Sequence, residues 1–238
     1  MREVSQYTVE YERSLLKGDS CFAQSSLNVL CLHGAGQSNR LRFAGLRSAL
    51  QHRGFGSASF DFIGHGETGG VVENSSLASR TAQANAVIRS RGLYQRPLTV
   101  VGSSMGAYAA IKLTQLQNIN SLVLVVPGVY TPNAYSVPFG TEFSSIIRQH
   151  QSWRDTDAWM HMAEFRGSLL VVAAENDQVV PFEIPQRLMT CASACSWKKL
   201  HVVKDAGHNV MSSLFDDGSA STEGIIEDIV ACIHAGVG

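Results

Sequence analysis

The chain has 238 residues, is 45% hydrophobic and only 16% charged, and carries 19 basic and 20 acidic side chains for a net charge of −1. No basic stripe is present, which speaks against nucleic acid as a partner, and no apolar run approaches the roughly 18 residues of a membrane span. The charged fraction lies below the roughly 25% of an average soluble domain, which points to large buried elements such as the strands of a parallel sheet. The length suits one domain over residues 1–238. Cysteines number five (Cys21, Cys31, Cys191, Cys195 and Cys232), and Met1–Gln6 lacks the apolar core of a secretory signal. Together these predict a reduced, cytoplasmic protein. Cys191 and Cys195 stand four apart on an expected helix with no His at zinc spacing, so packing is expected there and no metal site.

Residues 4–24 alternate in short segments around the turn signal Gly18-Asp19-Ser20, which predicts a small antiparallel sheet edge. Leu27–Leu32 reads as the first buried strand and runs into the glycine turn His33-Gly34-Ala35-Gly36. Ser38 or Asn39 is placed to cap a helix whose apolar residues Leu41, Phe43, Ala44, Leu46 and Leu50 fit a 3.6 period and which ends near Gly54. A strand over Ser57–Phe62 ends in a second glycine-rich turn, 64–70, followed by a polar loop and a helix over Leu77–Arg91 with Gly92 as its C-cap.

Leu98–Val101 is a short, β-branched run that ends in Gly102-Ser103-Ser104-Met105-Gly106 and an alanine-rich helical stretch. Strand, sharp turn and helix with G-x-S-x-G on the turn describe a nucleophile elbow, which pushes the hydroxyl of Ser104 out at the top of a sheet. Glycines at 102 and 106 let strand and helix approach closely. Ser104 then lies at a helix N-terminus, where the Met105 N–H is placed to donate to an oxyanion. A plain Gly-rich turn whose serine caps a helix is the competing reading.

Ser121–Val126 is another buried strand. Residues 128–166 then break the rhythm and predict a short cap insertion with helical stretches near Glu142–His150 and Thr156–Phe165. Its aromatic residues, with Tyr130, Trp153 and Trp159 foremost, are expected to line an apolar substrate pocket. Ser168–Ala174 resumes the strands, Glu183–Cys195 is expected to be helical, and Trp197–Val203 is the last strand. A polar loop over Asp216–Ser221 precedes a closing helix, Thr222–Ala235. Strands alternating with helices predict an α/β fold built on a doubly wound, mostly parallel sheet.

Loops after parallel strands open on one edge of such a sheet. Ser104, Asp177 and His208 each follow a strand, in the order Ser, Asp, His. His33-Gly34, the Asp61…Gly64-His65-Gly66 turn, the Gly102–Gly106 elbow, Asp177 before Val-Val-Pro and Gly207-His208 together resemble the α/β-hydrolase fold serine hydrolases over essentially the whole chain. Phe60–Glu67 looks most like the monoacyl and cinnamoyl esterase branch, although Ser103 stands where that branch often has His. The resemblance implies a triad in which Ser104 attacks, His208 moves the proton and Asp177 holds the imidazole. It also implies an oxyanion hole from the Ala35 and Met105 N–H groups. Glu175 is a competing acid two residues from Asp177. His33 and His65 are expected to shape their turns by bonding to backbone, and Asp61 and Glu67 are given no chemistry.

The function that follows is hydrolysis of a small-molecule carboxylic ester or thioester through an acyl-serine, with no cofactor and no metal. Amide or C–C bond hydrolysis, perhydrolysis and a non-catalytic ligand-binding role are the alternatives. Oligomeric state is not legible in the sequence.

Overall fold

A computed structural model describes residues 4–23, 27–216 and 220–237. They form one eight-stranded sheet: β1 (Val4–Tyr11), β2 (Ser14–Cys21), β3 (Leu27–Leu32), β4 (Gly56–Phe60), β5 (Leu98–Ser103), β6 (Ile119–Val125), β7 (Ser168–Ala174) and β8 (Trp197–Val203). The spatial order is β1-β2-β4-β3-β5-β6-β7-β8. Only β2 runs against the rest, pairing antiparallel with β1 and β4. The fold class expected from the strand–helix alternation is the one observed. At the antiparallel edge Tyr7 lies opposite Gly18, where any Cβ would collide with the phenol ring. The Tyr7 hydroxyl crosses to the Ser59 carbonyl at 3.0 Å.

The central strands read as unbroken apolar runs, yet each alternates between two cores. Leu30, Leu32, Val100, Leu122, Leu124, Leu169 and Val171 face one core. There they meet α2 (Leu77–Ser90), α3 (Met105–Leu113) and α6 (Glu183–Cys191). Val29, Cys31, Val101, Val123, Leu170 and Val172 face the other. On that side they meet α1 (Ala44–His52), α7 (Val210–Asp216) and α8 (Ala220–Ala235).

Several boundaries differ from expectation for local reasons. Asn39, not Ser38, caps the turn before α1, its side chain accepting from Leu41 N. The ladder of β4 stops at Phe60 because the next amides are taken elsewhere: Asp61 N by the Lys17 carbonyl, Phe62 N by His33 Nε2 and Ile63 N by Gln83 Oε1. Gly92 takes the expected left-handed turn after α2 (φ 64°). Helix α6 ends at Cys191, so Cys195 does not share it; the Cys195 thiol instead points at the Phe165 carbonyl. Helix α7, which sequence reading missed, follows the β8 loop at once, and the Val210, Met211 and Leu214 spacing behind it is the signal that was there to read. Of the expected polar loop 216–221, residues 217–219 lie outside the described residues.

Between β6 and β7 the segment 128–166 carries α4 (Thr141–Ile147) and α5 (Ala158–Glu164) with two short 3-10 turns. It is sewn to the body. Ala78 N bonds to the Tyr135 carbonyl and Phe139 N to the Ser75 carbonyl, each at 2.9 Å. Asp157, just before α5, accepts from Tyr108 and Lys112 of α3, each at 2.6 Å. Phe139, Phe143, Ala158, Met162 and Phe165 are buried in the same core as α2 and α3.

A buried charge cluster ties the antiparallel edge to the loops above it. Asp19 on β2 pairs with both Arg40 and Arg47, and Arg40 also reaches Asp61 and Glu67. Asp61 further accepts from Arg40 N and Glu67 N. Asp61 and Glu67 therefore have a structural task that the sequence did not reveal. Removing one partner of a buried pair strands the other charge, at a cost of about 3–5 kcal/mol, whereas an exposed partner is worth under about 1 kcal/mol. Asp19→Ala should therefore lower unfolding stability by several kcal/mol in a urea titration. Glu67→Ala, whose side chain is 62% exposed, should shift it by less than about 1 kcal/mol. Equal effects of the two would show that the cluster does not hold the edge.

Candidate active site

Ser104 sits between β5 and α3 with φ 52° and ψ −118°, a conformation that L residues rarely adopt. Such strain costs about 1–3 kcal/mol and persists only where surrounding structure enforces it. Here Ser104 N bonds to the Val125 carbonyl at 2.9 Å, and the Ser104 carbonyl accepts from Ala107 N and Gly128 N. The two flanking glycines are required for different approaches. A Cβ on Gly102 would strike the backbone of Gly106 and Ala107, and one on Gly106 would strike the carbonyls of Leu32 and His33 at the end of β3. The elbow is thus wedged between its own helix and the neighbouring strand.

His208, in the loop after β8, places Nε2 at 3.0 Å from Ser104 Oγ and Nδ1 at 2.8 Å from Asp177 Oδ2. The other carboxylate oxygen of Asp177 accepts from Val179 N at 2.8 Å and Val180 N at 2.9 Å, which fixes the side chain from behind. Asp177 is nearly buried (6% exposed) and His208 is 20% exposed. Glu175, the competing acid, points elsewhere: it accepts from Asp205 N at 2.9 Å. That bond, with Asn176 N to the Ala206 carbonyl and Glu175 N to the Val203 carbonyl, laces the Asp177 loop to the His208 loop. The structure therefore brings together Ser104, His208 and Asp177 from three separate loops in one chain of hydrogen bonds.

Ala35 borders the same cleft as Ser104 and His208. Met105 opens α3, so its N–H has no carbonyl one turn back inside the helix. Gly34 lies so close that a Cβ there would be 3.2 Å from Ser104 Cβ. His33, fully buried, bonds through Nδ1 to the Gly34 carbonyl at 2.8 Å and accepts from Phe62 N at Nε2. An amide can only donate, so the ring carries its proton on Nδ1. Burial, and then the nearby Arg80 charge, hold its pKa well below the usual histidine value, so the ring is neutral. His65 bonds through Nδ1 to the Ile63 carbonyl, and its pKa is likewise lowered by burial. Both rings shape their turns through backbone bonds.

The cleft at Ser104 is small, about 70 Å³, and mostly polar: Ser38, Arg42, Ser103, Asn209 and Met211 complete its wall. Sequence reading did not single out these five as cleft residues. Ser38 carried a cue, since the capping alternative Asn39 frees it to face the opening. Tyr130, Trp153 and Trp159, expected to line the pocket, are not part of this wall. Trp153 and Trp159 pack against each other with ring centres 6.4 Å apart, Trp159 Nε1 donates to the Arg154 carbonyl, and Arg187 of α6 lies over the Trp159 ring at 4.7 Å. Tyr130 packs edge-on to Tyr108 at 5.4 Å, beneath Gly128. Aromatic surface in the segment is spent on closing it against itself and the body. Among the described residues, no group of three His, Cys, Asp or Glu side chains could hold a metal ion, and no helix is long and apolar enough to cross a membrane.

Known structures with the same fold include an esterase from Pyrococcus furiosus, with a TM-score of 0.73 at 20% identity, covering 98% of this chain and 93% of that one. The thioesterase domain from the curacin biosynthetic pathway gives 0.71 at 18% identity, covering 94% and 99%. Est1E from Butyrivibrio proteoclasticus, solved with ferulic acid bound, gives 0.71 at 16%, also covering 94% and 99%. At these identities the likeness shows the fold alone. No curated protein matches the sequence. Residues 23–156, more than half of the chain and including the Ser104 elbow, match the model of the family described as serine aminopeptidase, S33, and the chain therefore belongs to this family of α/β-hydrolase-fold hydrolases.

Proposed function

We propose that this hydrolase is a serine esterase or thioesterase that works through an acyl-serine intermediate. The observation that carries the reading is the hydrogen-bonded chain from Ser104 Oγ through His208 to Asp177. A serine hydroxyl is a poor nucleophile at neutral pH, and an imidazole at 3.0 Å can take its proton as the carbonyl is attacked. The same imidazole then returns the proton to the leaving alcohol or thiol. Asp177 keeps the proton on His208 Nδ1, so that Nε2 is free to act as base, and it stabilises the imidazolium that forms. Ala35 and Met105 N–H groups receive the developing oxyanion. Water, activated by His208, releases the acid in the second half.

The small polar cleft supports short acyl groups, since pockets for drug-sized ligands run to about 300–1,000 Å³. The esterase, thioesterase and ferulate-bound neighbours share the fold and are consistent with acyl chemistry. The family description also raises a second reading, cleavage of an N-terminal amino acid. A free α-ammonium needs a carboxylate partner. The described residues walling the cleft include none. The ester or thioester reading is therefore the stronger one.

On p-nitrophenyl acetate and butyrate, Ser104→Ala should lose at least about a thousandfold in kcat, the residue of rate coming from the oxyanion hole and binding alone. A fluorophosphonate probe should label the parent at Ser104 and leave the variant unlabelled. Retained turnover, or labelling elsewhere, would assign the nucleophile to another residue. Asp177→Asn preserves shape but favours the wrong imidazole tautomer, so kcat should fall by roughly 10³–10⁴ with KM nearly unchanged. A drop of less than about tenfold would show that Asp177 does not orient His208 during turnover.

A further inference from the structure

Arg80 on α2 is 1% exposed and, among the described residues, pairs with no carboxylate. Its Nε has no hydrogen-bond partner. The guanidinium lies between the rings of Phe62 and Phe139, at 4.8 and 5.1 Å. Nη2 donates to His65 Nε2 at 3.0 Å, and Nη1 donates to the Gly34 carbonyl at 3.1 Å. Burial lowers its pKa to about 10, so it still carries its charge near neutrality. A buried, uncompensated cation is costly to keep. Arg40 and Arg47, by contrast, are buried against carboxylates.

The carbonyl that Arg80 touches belongs to the same peptide unit as the Ala35 N–H. That peptide is planar and trans, so its N–H points away from its carbonyl. Two donors grip the carbonyl from behind, Arg80 Nη1 and His33 Nδ1. They fix the plane of the peptide, and a charged donor on the oxygen polarises the N–H at the other end. Ala35 faces the cleft beside Ser104.

We propose that Arg80 is a positioning residue that aims and polarises the Ala35 N–H as an oxyanion donor through the Gly34 carbonyl. The inference rests on the acyl-serine reading above. It explains why a cation without a counter-ion is retained at this spot: the negative charge it serves exists only while the oxyanion does.

The test uses the full chain with Arg80→Met and Arg80→Lys, measuring kcat and KM on p-nitrophenyl butyrate, the rate of fluorophosphonate labelling and the thermal midpoint. Met fills the space without a charge, and Lys keeps the charge without the planar fork. Arg80→Met should melt within a few degrees of the parent, because the loss of two hydrogen bonds is offset by the loss of an unpaired buried charge. Its kcat should fall at least about tenfold with KM changed by less than about threefold, the mark of an interaction made in the transition state. Arg80→Lys should recover part of that loss. An active parent beside a folded variant whose kcat stays within about twofold overturns the proposal, as does a rise in KM at unchanged kcat. Failure of both variants to fold also overturns it, since Arg80 would then serve the fold. A parent that neither turns over nor labels sinks the acyl-serine reading and this inference with it, an outcome recognisable before any variant is made.

Discussion

The close approach of two backbones, α3 at Gly106 against the carbonyls of Leu32 and His33, is the constraint on which the site depends. No side chain fits there. Because it does not, the helix start is pressed onto the end of the neighbouring strand, and the residue before the helix must turn through positive φ to connect. The hydroxyl of Ser104 is thereby set clear of the sheet, and Gly34 on the adjoining turn lies so close that a Cβ there would be 3.2 Å from Ser104 Cβ. Ser104 and the Gly34-Ala35 turn are thus placed by one packing contact. The His208 and Asp177 loops are placed separately, by the lacing of residues 175, 176 and 205.

That division explains what could be read from the sequence. Strands β3, β5, β6 and β7 announce themselves as short, largely apolar runs, because strands buried on both faces need apolar residues at most positions. Strand β8, at the sheet edge and partly exposed, carries Lys198, Lys199 and His201 and is legible from its place in the strand–helix alternation. The glycines at 102 and 106 announce the elbow, because only glycine meets its steric demand. Asp177 and His208 were legible as positions after strands, and the fold brings such loops to one edge. Tertiary choices between near-equivalent neighbours were harder. Asn39 over Ser38 as cap turns on the direction of one side chain, which local pattern does not determine; Asp177 over Glu175 was carried by the Val-Val-Pro that follows Asp177.

The segment 128–166 shows the limit more sharply. Aromatic, proline-bearing and irregular composition sets it apart in the sequence, and in the structure it lies between β6 and β7. Its aromatic residues, though, obey the need of any small element to bury apolar area, and Trp153 and Trp159 meet that need by packing on each other, with Arg154 over the first ring and Arg187 over the second. Composition cannot distinguish aromatics that face a ligand from aromatics that close a surface. The wall of the cleft includes instead small and polar side chains at a strand end and at the ends of loops, Ser103, Ser38 and Asn209, which have no periodicity to betray them.

Buried charge was the least visible feature, and it separates into two kinds. Arg40 and Arg47 meet Asp19, Asp61 and Glu67, so attraction offsets desolvation and the cluster holds an edge of the sheet to its loops. Arg80 has carbonyl, imidazole and aromatic faces around it but no anion. In the resting protein this is an unfavourable arrangement, and a core built for stability alone would replace it with a hydrocarbon. On the acyl-serine reading proposed above, it becomes favourable when negative charge gathers on a substrate oxygen at Ser104, one peptide unit away. A cation held without a partner in low dielectric acts strongly on such a charge, because nothing nearby screens it. The cost borne by the ground state and the gain at the transition state are then two faces of one placement, which is the pattern expected of an electrostatically prepared site.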